Sequence, residues 1–163
     1  MDESKIDAFL KRKGEKVIVS ACLLGENCRY DGKSKEVPEI RKLAKYYSLL
    51  PICPEVLGGL RTPRDPSEIV EGKVLSQRGK DVSENYRNGA YWASALARIQ
   101  KVHLAILKDR SPSCGSTLIH DGSFTGKVIP GKGITAKRLE KEGVLVLNEE
   151  EGKRLLSLLE EGR

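Results

Sequence analysis

Four short apolar runs, separated by stretches with helical periodicity, dominate the pattern of hydrophobic and polar positions along the chain. They lack the strict alternation of half-buried strands and are rich in β-branched residues. Such runs are typical of strands buried on both faces of a parallel sheet. The predicted strands cover residues 17–21, 49–52, 102–107 and 144–147.

Helical periodicity fills the spaces between these runs and the chain after the last of them. The predicted helices cover residues 37–47, 84–100, 135–141 and 149–160, the last capped by Asn148. Strands that alternate with helices imply a parallel sheet with right-handed crossovers. We therefore expect an α/β fold, a Rossmann-like three-layer sandwich around a mostly parallel central sheet.

The chain has 163 residues, a length typical of one domain. We predict a polar, partly helical N-terminal extension at 1–16 and a single α/β domain at 17–163. The Pro-rich segment 61–69 and the turn-rich segment 121–133 are predicted to be irregular. Trp92, on the longest predicted helix, is expected in the core.

The charge balance changes the picture only slightly. With 29 Lys and Arg against 23 Asp and Glu, the net charge of +6 is modest and spread along the chain. It favours an anionic ligand such as a nucleotide without indicating nucleic-acid binding. No apolar run approaches the ~20 residues that span a bilayer, and the first residues are too polar for a secretory signal. We expect a soluble cytoplasmic protein without a membrane partner.

Candidate chemistry lies in the cysteines. Four cysteines in a cytoplasmic chain indicate metal ligands or catalytic thiols before disulfides. Cys22, Cys53 and Cys114 each follow a predicted strand, and the carboxyl ends of parallel strands share one edge of the sheet. Thiolates select zinc, copper(I) or iron–sulfur clusters. Three widely separated ligands suit a [4Fe–4S] cluster with one open iron, although spacing alone leaves the metal open. Cys28 is either a fourth ligand or a buried apolar residue.

Several ordered motifs resemble the thiouracil desulfidase family, and the resemblance covers residues 17–151. The motifs are Ser20-Ala-Cys-Leu-Leu-Gly25, Cys28-Arg-Tyr-Asp-Gly32, Cys53-Pro-Glu-Val-Leu-Gly-Gly-Leu60, Thr62-Pro-Arg64, Leu107-Lys-Asp-Arg-Ser-Pro-Ser-Cys-Gly115 and Asp121-Gly-Ser-Phe124. The resemblance implies a non-redox desulfidase that converts 2-thiouracil, 4-thiouracil or their nucleosides and nucleotides to uracil and hydrosulfide. It also implies a [4Fe–4S] cluster with three protein ligands, Cys22, Cys53 and Cys114, and one open iron.

The same motifs supply candidates for the other roles in the site. The resemblance implies catalytic roles for Glu55 and Ser111, in proton transfer and substrate positioning. The substrate-binding candidates are Arg29, Arg64 and Ser113, and the accessory candidates are Cys28 and Asp31. The expected partner is a small thiolated pyrimidine base or nucleotide. A tRNA substrate is not favoured, because the chain lacks the additional domain that some relatives carry.

Two other hypotheses remain open at this point. One is a non-catalytic metal- or redox-sensing nucleotide-binding module that uses all four cysteines in a closed site. The other is a metal-free thiol enzyme in which Cys114, with a lowered pKa, is the nucleophile. For Glu55, the alternative to catalysis is an ion pair with Arg29 or Arg64.

Overall fold

A four-stranded parallel sheet forms the centre of the protein in the computed structural model, which describes residues 2–163. The strands of the chain are β1 (Lys16–Ser20), β2 (Ser48–Ile52), β3 (Ser67–Val70), β4 (Lys73–Ser76), β5 (Leu104–Ile106), β6 (Leu118–His120), β7 (Val128–Pro130) and β8 (Leu145–Leu147). The helices are α1 (Glu3–Leu10), α2 (Pro38–Lys42), α3 (Pro54–Leu57), α4 (Ser83–Gln100), α5 (Ile134–Lys141) and α6 (Glu149–Glu160). Short 3₁₀ turns follow β1 at Ala21–Leu24 and α2 at Leu43–Lys45.

The central sheet has the strand order β2-β1-β5-β8, and every neighbouring pair is parallel. Its strands are buried on both faces. Val17 and Val19 face one layer of helices while Ile18, between them, faces the other. This arrangement confirms the predicted parallel sheet and explains why its strands read as continuous apolar runs.

Helices cover both faces of the sheet, which confirms the three-layer prediction. Helices α1, α2 and α6 pack on one face, where Ile40 and Leu155 are fully buried. Helices α4 and α5 pack on the other, around Ala93 and Leu139. Among residues 2–163, no helix is long and apolar enough to cross a membrane.

The segment predicted as a polar N-terminal extension contains α1. Asp2 caps this helix by accepting hydrogen bonds from the backbone of Ser4 and Lys5. Its Ile6 and Phe9 side chains are fully buried in the core formed with α6. Helix α1 is therefore packed into the α/β core. Met1 lies outside the described residues.

Two small hairpins and one short helix depart from the sequence prediction. Strands β3 and β4 pair antiparallel, as do β6 and β7, in segments expected to be irregular or full of turns. Helix α3 begins immediately after Cys53, with Pro54 in its first turn. These segments lack the continuous apolar runs and the helical period from which the other elements are predicted. All three elements stand at the carboxyl edge of the sheet.

Candidate functional site

The helical connections between the strands of the central sheet switch from one face to the other at a point between β1 and β5. The connection from β1 to β2 runs through α2 on one face, and the connection from β2 to β5 runs through α4 on the other. In open α/β sheets, ligands bind outside the carboxyl ends of the strands at such a switch point. The sequence places a cysteine after each of the three strands that surround it, β1, β2 and β5.

A cavity of about 430 Å³ opens at this edge of the sheet, and all four cysteines line it. Its wall also contains Glu55, Arg64, Tyr86 and Ser111. The structure therefore brings together thiols, a carboxylate, a guanidinium and hydroxyls from segments far apart in the sequence. Further lining residues are Ser20, Arg29, Tyr30, Lys35, Ser67, Glu68, Lys108, Asp109, Arg110, His120 and Phe124.

The four thiols line one cavity and are unbridged. None forms a disulfide, and Cys22 and Cys114 are almost fully buried. The neighbouring Cys22 thiol raises the pKa of Cys28 to about 11. A hydrogen bond to Cys28, together with burial, raises the pKa of Cys53 well above its usual range. Burial raises the pKa of Cys114 to about 12, which is the opposite of what a metal-free nucleophile needs.

This donor set fits a thiophilic metal centre. Metal binding replaces the thiol protons, so buried thiols that strongly hold their protons alone become thiolates when a cationic centre is bound. Soft thiolates at an apolar sheet edge match iron–sulfur clusters, copper(I) and zinc. Within residues 2–163, no three His, Cys, Asp or Glu side chains are grouped to hold a single metal ion. The thiols are instead distributed around a cavity.

Glu55 is held beside the thiols by two partners. Its Oε1 accepts a hydrogen bond from the Tyr86 hydroxyl at 2.5 Å and one from Arg64 Nε at 3.3 Å. The pairing with Arg64, offered above as the alternative to catalysis, is therefore present. It occupies one carboxylate oxygen, and a carboxylate has further acceptor sites. Glu55 thus lines the cavity in a fixed orientation and can accept further hydrogen bonds.

Close contact between two helices sets the position of α3 and of Glu55 on it. A Cβ atom on Gly58 would lie 2.0 Å from the Asn85 carbonyl oxygen of α4. A Cβ atom on Gly89 would lie 2.0 Å from the Pro54 carbonyl oxygen of α3. Only glycine allows both backbones to approach so closely. This contact places Cys53 and Glu55 over the end of the sheet.

Arg64 ties two cysteine loops together and is not a free substrate ligand. Its Nη2 donates to the Cys28 carbonyl oxygen at 3.0 Å, while its Nη1 donates to Arg61 O and Thr62 Oγ1. The Cys53 thiol donates to the same Cys28 carbonyl at 3.7 Å. With its Nε on Glu55, Arg64 uses most of its donors within the protein.

The loop after β5 presents Ser111 and hides Ser113. Ser111 Oγ accepts from the backbone N–H of Ser113 and of Cys114, at 2.9 and 3.0 Å, which leaves its own proton available to donate into the cavity. Ser113 is 1% exposed, and its hydroxyl pairs with Thr135 Oγ1 at 2.8 Å. Ser113 is not among the lining residues, so its position does not support the predicted substrate contact.

The remaining candidates lie at the rim. Arg29 lines the cavity and sits over the Tyr30 ring, 5.4 Å from its centroid. Asp31 is exposed, caps the backbone of Lys33 and faces Arg29 Nη1 at 3.6 Å. Asp31 therefore orients the rim and does not line the cavity.

Four residues of the cavity wall escaped the sequence analysis. Tyr86 lies in a segment interpreted as helix and Glu68 in one interpreted as irregular, while Asp109 and His120 were assigned no role. A tyrosine on the buried face of a helix was the one available signal, because its hydroxyl needs a polar partner. Trp92, expected in the core, is 54% exposed, so that prediction is wrong.

Comparison with known proteins adds three findings. A family model described as 2-thiouracil desulfurase matches residues 17–151. The uncharacterized protein YbbK of Bacillus subtilis (strain 168) is 41% identical over 145 residues, which cover 83% of this chain and 96% of YbbK. A solved structure of the [4Fe–4S]-dependent thiouracil desulfidase TudS is 40% identical, with a TM-score of 0.80, over 90% of this chain and 98% of TudS.

Proposed function

This chain belongs to the 2-thiouracil desulfurase family, and we propose that it removes sulfur from a thiolated uracil by adding water at a cysteine-held [4Fe–4S] cluster. The family and the enzyme class expected from the sequence motifs are confirmed. The observation that carries the proposal is the convergence of Cys22, Cys53 and Cys114 with Glu55 and Ser111 on one cavity.

Three of the four thiols are the proposed cluster ligands. Cys22, Cys53 and Cys114 each follow a different strand, and all three line the cavity. A cluster held by these three residues would supply an open, Lewis-acidic iron suited to a soft thiocarbonyl sulfur. Cys28 lies six residues after Cys22 in the loop that leaves β1, so it brings no further segment of the chain to the site. We assign Cys28 an accessory role.

Glu55 is the proposed proton acceptor for the attacking water. The water oxygen forms a bond to the thiocarbonyl carbon, the C–S bond breaks, and sulfur leaves as hydrosulfide without electron transfer. Tyr86 and Arg64 fix one oxygen of Glu55, so the second oxygen can accept the water proton. A positioned general base of this kind contributes about 10²–10⁴-fold to a rate.

Ser111 is the proposed positioning donor. Its oxygen accepts two backbone N–H groups, which fixes the hydroxyl in the loop that carries Cys114. The one proton that a hydroxyl can donate is then directed to the substrate. Ser111 therefore orients the pyrimidine ring, while Glu55 handles the proton.

A cationic rim supports a nucleotide as substrate. Arg110 is exposed, lines the cavity and forms no ion pair with any residue of the range 2–163. Arg29 stands on the same rim, paired only weakly with Asp31. Guanidinium groups bind phosphate in a bidentate manner. A thiolated uridine monophosphate is the substrate class that uses this rim, and a tRNA remains the less favoured one.

Anaerobic reconstitution tests the proposal. Iron and sulfide are counted per chain, and sulfide release is then followed from 2-thiouracil and from 4-thiouridine monophosphate. The proposal predicts about four irons per chain and turnover of at least one substrate. Tightly held zinc that blocks reconstitution would contradict it and would favour the closed four-cysteine module.

A further inference from the structure

One wall of the cavity is built from residues of the two hairpins. Residues of β3, including Glu68, and residues of β6 and the turn after it, including His120 and Phe124, line the cavity. None of these three is a thiol or a partner of Glu55. The mechanism above leaves them without a role.

The hairpin turn is pinned to this wall. Glu68 is 7% exposed, and its Oε1 accepts from the backbone N–H of Gly122 at 2.9 Å and of Phe124 at 3.2 Å. A Cβ atom on Gly122, whose φ is +92°, would lie 2.7 Å from the Ile69 carbonyl oxygen of β3. The turn therefore lies against β3 in one fixed arrangement.

Phe124 adopts an uncommon backbone conformation at this point. Its φ of +58° lies in the left-handed region, which bulky side chains rarely occupy. Such conformations persist only where the surroundings hold them, and they cluster at ligand clamps. The Glu68 contact holds the Phe124 N–H, and the outcome is an aromatic side chain in the wall of the cavity.

His120 presents an imidazole without a protein partner. Its Nδ1 is buried and has no hydrogen bond, and no side-chain hydrogen bond reaches Nε2 from residues 2–163. Buried polar atoms are nearly always paired, so each exception calls for an explanation. Ser116 Oγ and Glu140 Oε1 share this property, but His120 is the one of the three that lines the cavity. Nδ1 is out of reach of a ligand in the cavity, so a contact with a bound base falls to Nε2. Because no protein group fixes the tautomer at Nδ1, Nε2 can either donate or accept.

We propose that His120 and Phe124 form the base-reading wall of the site, an inference that rests on the proposed desulfidase function. Phe124 packs against the pyrimidine ring, and His120 Nε2 forms a hydrogen bond with the edge made by N3–H and the carbonyl that does not react. That carbonyl is C4=O in 2-thiouracil and C2=O in 4-thiouracil, so both bases present the same donor–acceptor pair beside the thiocarbonyl. Glu68 is a positioning residue that acts through the hairpin turn.

Uracil binding to the cluster-loaded protein tests the wall without relying on turnover. His120→Phe keeps a planar ring and removes both nitrogens. We expect it to raise the Kd for uracil, measured by calorimetry without oxygen, about 3–10-fold, the worth of one net hydrogen bond. The matched control is His103→Phe, because His103 is the only other histidine and is exposed. Iron content should be equal in all variants.

A ligand change completes the cycle. 3-Methyluracil lacks the N3–H and should bind the wild type more weakly than uracil does. If the methyl group and His120→Phe remove the same hydrogen bond, their losses of binding free energy should not add. Phe124→Leu, which leaves His120 in place, should raise both Kd values by a similar factor. This variant keeps the test valid if His120→Phe folds poorly.

The results separate the two levels of the proposal. A wild type that releases sulfide from 4-thiouracil, while His120→Phe and Phe124→Leu keep the wild-type Kd for uracil, would overturn the wall and leave the function standing. A fully loaded wild type that neither binds uracil nor releases sulfide would overturn the function and the wall with it.

Discussion

At the scale of single residues, the proposed chemistry depends first on Glu55. Its carboxylate is oriented by Tyr86 and Arg64 and lines the cavity beside the thiols. We expect Glu55→Gln to lower kcat for sulfide release by about 10²–10⁴-fold, because an amide cannot accept the water proton. Iron content should not change. Glu150→Gln, on the exposed side of α6, is the control, and full turnover by the Glu55 variant would refute its role as base.

The four cysteines are not expected to be equivalent. In a serine series, Cys22→Ser, Cys53→Ser and Cys114→Ser should each lose most of the iron after reconstitution, because each removes a thiolate ligand. Cys28→Ser should retain iron and part of the activity. The measurement is iron per chain with the absorbance of the cluster. Loss of iron from Cys28→Ser as severe as that from Cys22→Ser would instead support a closed four-thiol site.

The site residues that the sequence could identify are those whose side-chain chemistry indicates a function even without a structure. Cys22, Cys53 and Cys114 follow predicted strands, so the parallel sheet was enough to bring them to one cavity. Ser113 shows the limit of that argument. Ser111 and Ser113 lie in the same loop as Cys114, but only Ser111 lines the cavity. Only the packing against Thr135 shows that the Ser113 hydroxyl points away from the site.

At the scale of elements, the contact between α3 and α4 positions the second ligand and the base. Alanine normally stabilises a helix interior relative to glycine by about 0.5–1 kcal/mol. Gly89→Ala should do the reverse and lower the free energy of unfolding by about 1–3 kcal/mol, because its Cβ would meet the Pro54 carbonyl. Asn88→Ala, on the exposed side of α4, is the control in chemical denaturation. A Gly89→Ala protein more stable than wild type would show that the helices are free to separate.

The loop after β5 is organised by Asp109. Its Oδ1 accepts from the backbone N–H of Ser116, Thr117 and Leu118, each at 3.1 Å. Burial alone would raise the pKa of Asp109, but these hydrogen bonds, with that from the Thr117 hydroxyl, outweigh it and hold the pKa below its usual range. Because the pKa of Asp109 is lower in the folded state, its carboxylate stabilises the fold at pH values above the unfolded-state pKa of about 4. This stabilisation is lost as the pH falls through the folded-state pKa.

Asp109→Asn should therefore be about 1–3 kcal/mol less stable than wild type at pH 7, and the gap should narrow in acid. Denaturant titrations at pH 7, 5 and 3 measure it. Asp7→Asn, at an exposed position of α1, should show little effect at any pH. A gap as large at pH 3 as at pH 7 would mean that the loop does not depend on the charge.

The elements themselves were predictable where the sequence shows a clear apolar run or helical period. Helix α4 and the four sheet strands show clear periodicity or apolar runs, and the capping box of Asn148 and Glu151 marks the start of α6. The hairpins were not predictable, because β6 borders the turn-rich segment and β3 emerges from the Pro-rich segment. Strands β5 and β8 are as short as β6, but each lies within a longer apolar run. The strands of the hairpins are stabilised by pairing with each other and by packing at the edge of the sheet, which the pattern of hydrophobic positions does not reveal.

At the scale of the whole molecule, one region forms the core and positions the cysteines, and another forms the rest of the cavity wall. The parallel sheet and its helices form the core and place three cysteines at one edge. The hairpins and α3 are added at that edge and supply the polar and aromatic wall. This division follows the general rule that function lies in sites built onto a fold, and it explains why the core was predictable and the wall was not.

The central claim is that water, and not an electron donor, replaces the sulfur. Its most direct test is mass spectrometry of the uracil produced by the reconstituted protein in H₂¹⁸O without any reductant. Hydrolytic removal of sulfur predicts one ¹⁸O atom in each uracil and one sulfide released for each uracil formed. Turnover that requires an added reductant, or uracil that carries no ¹⁸O, would contradict it.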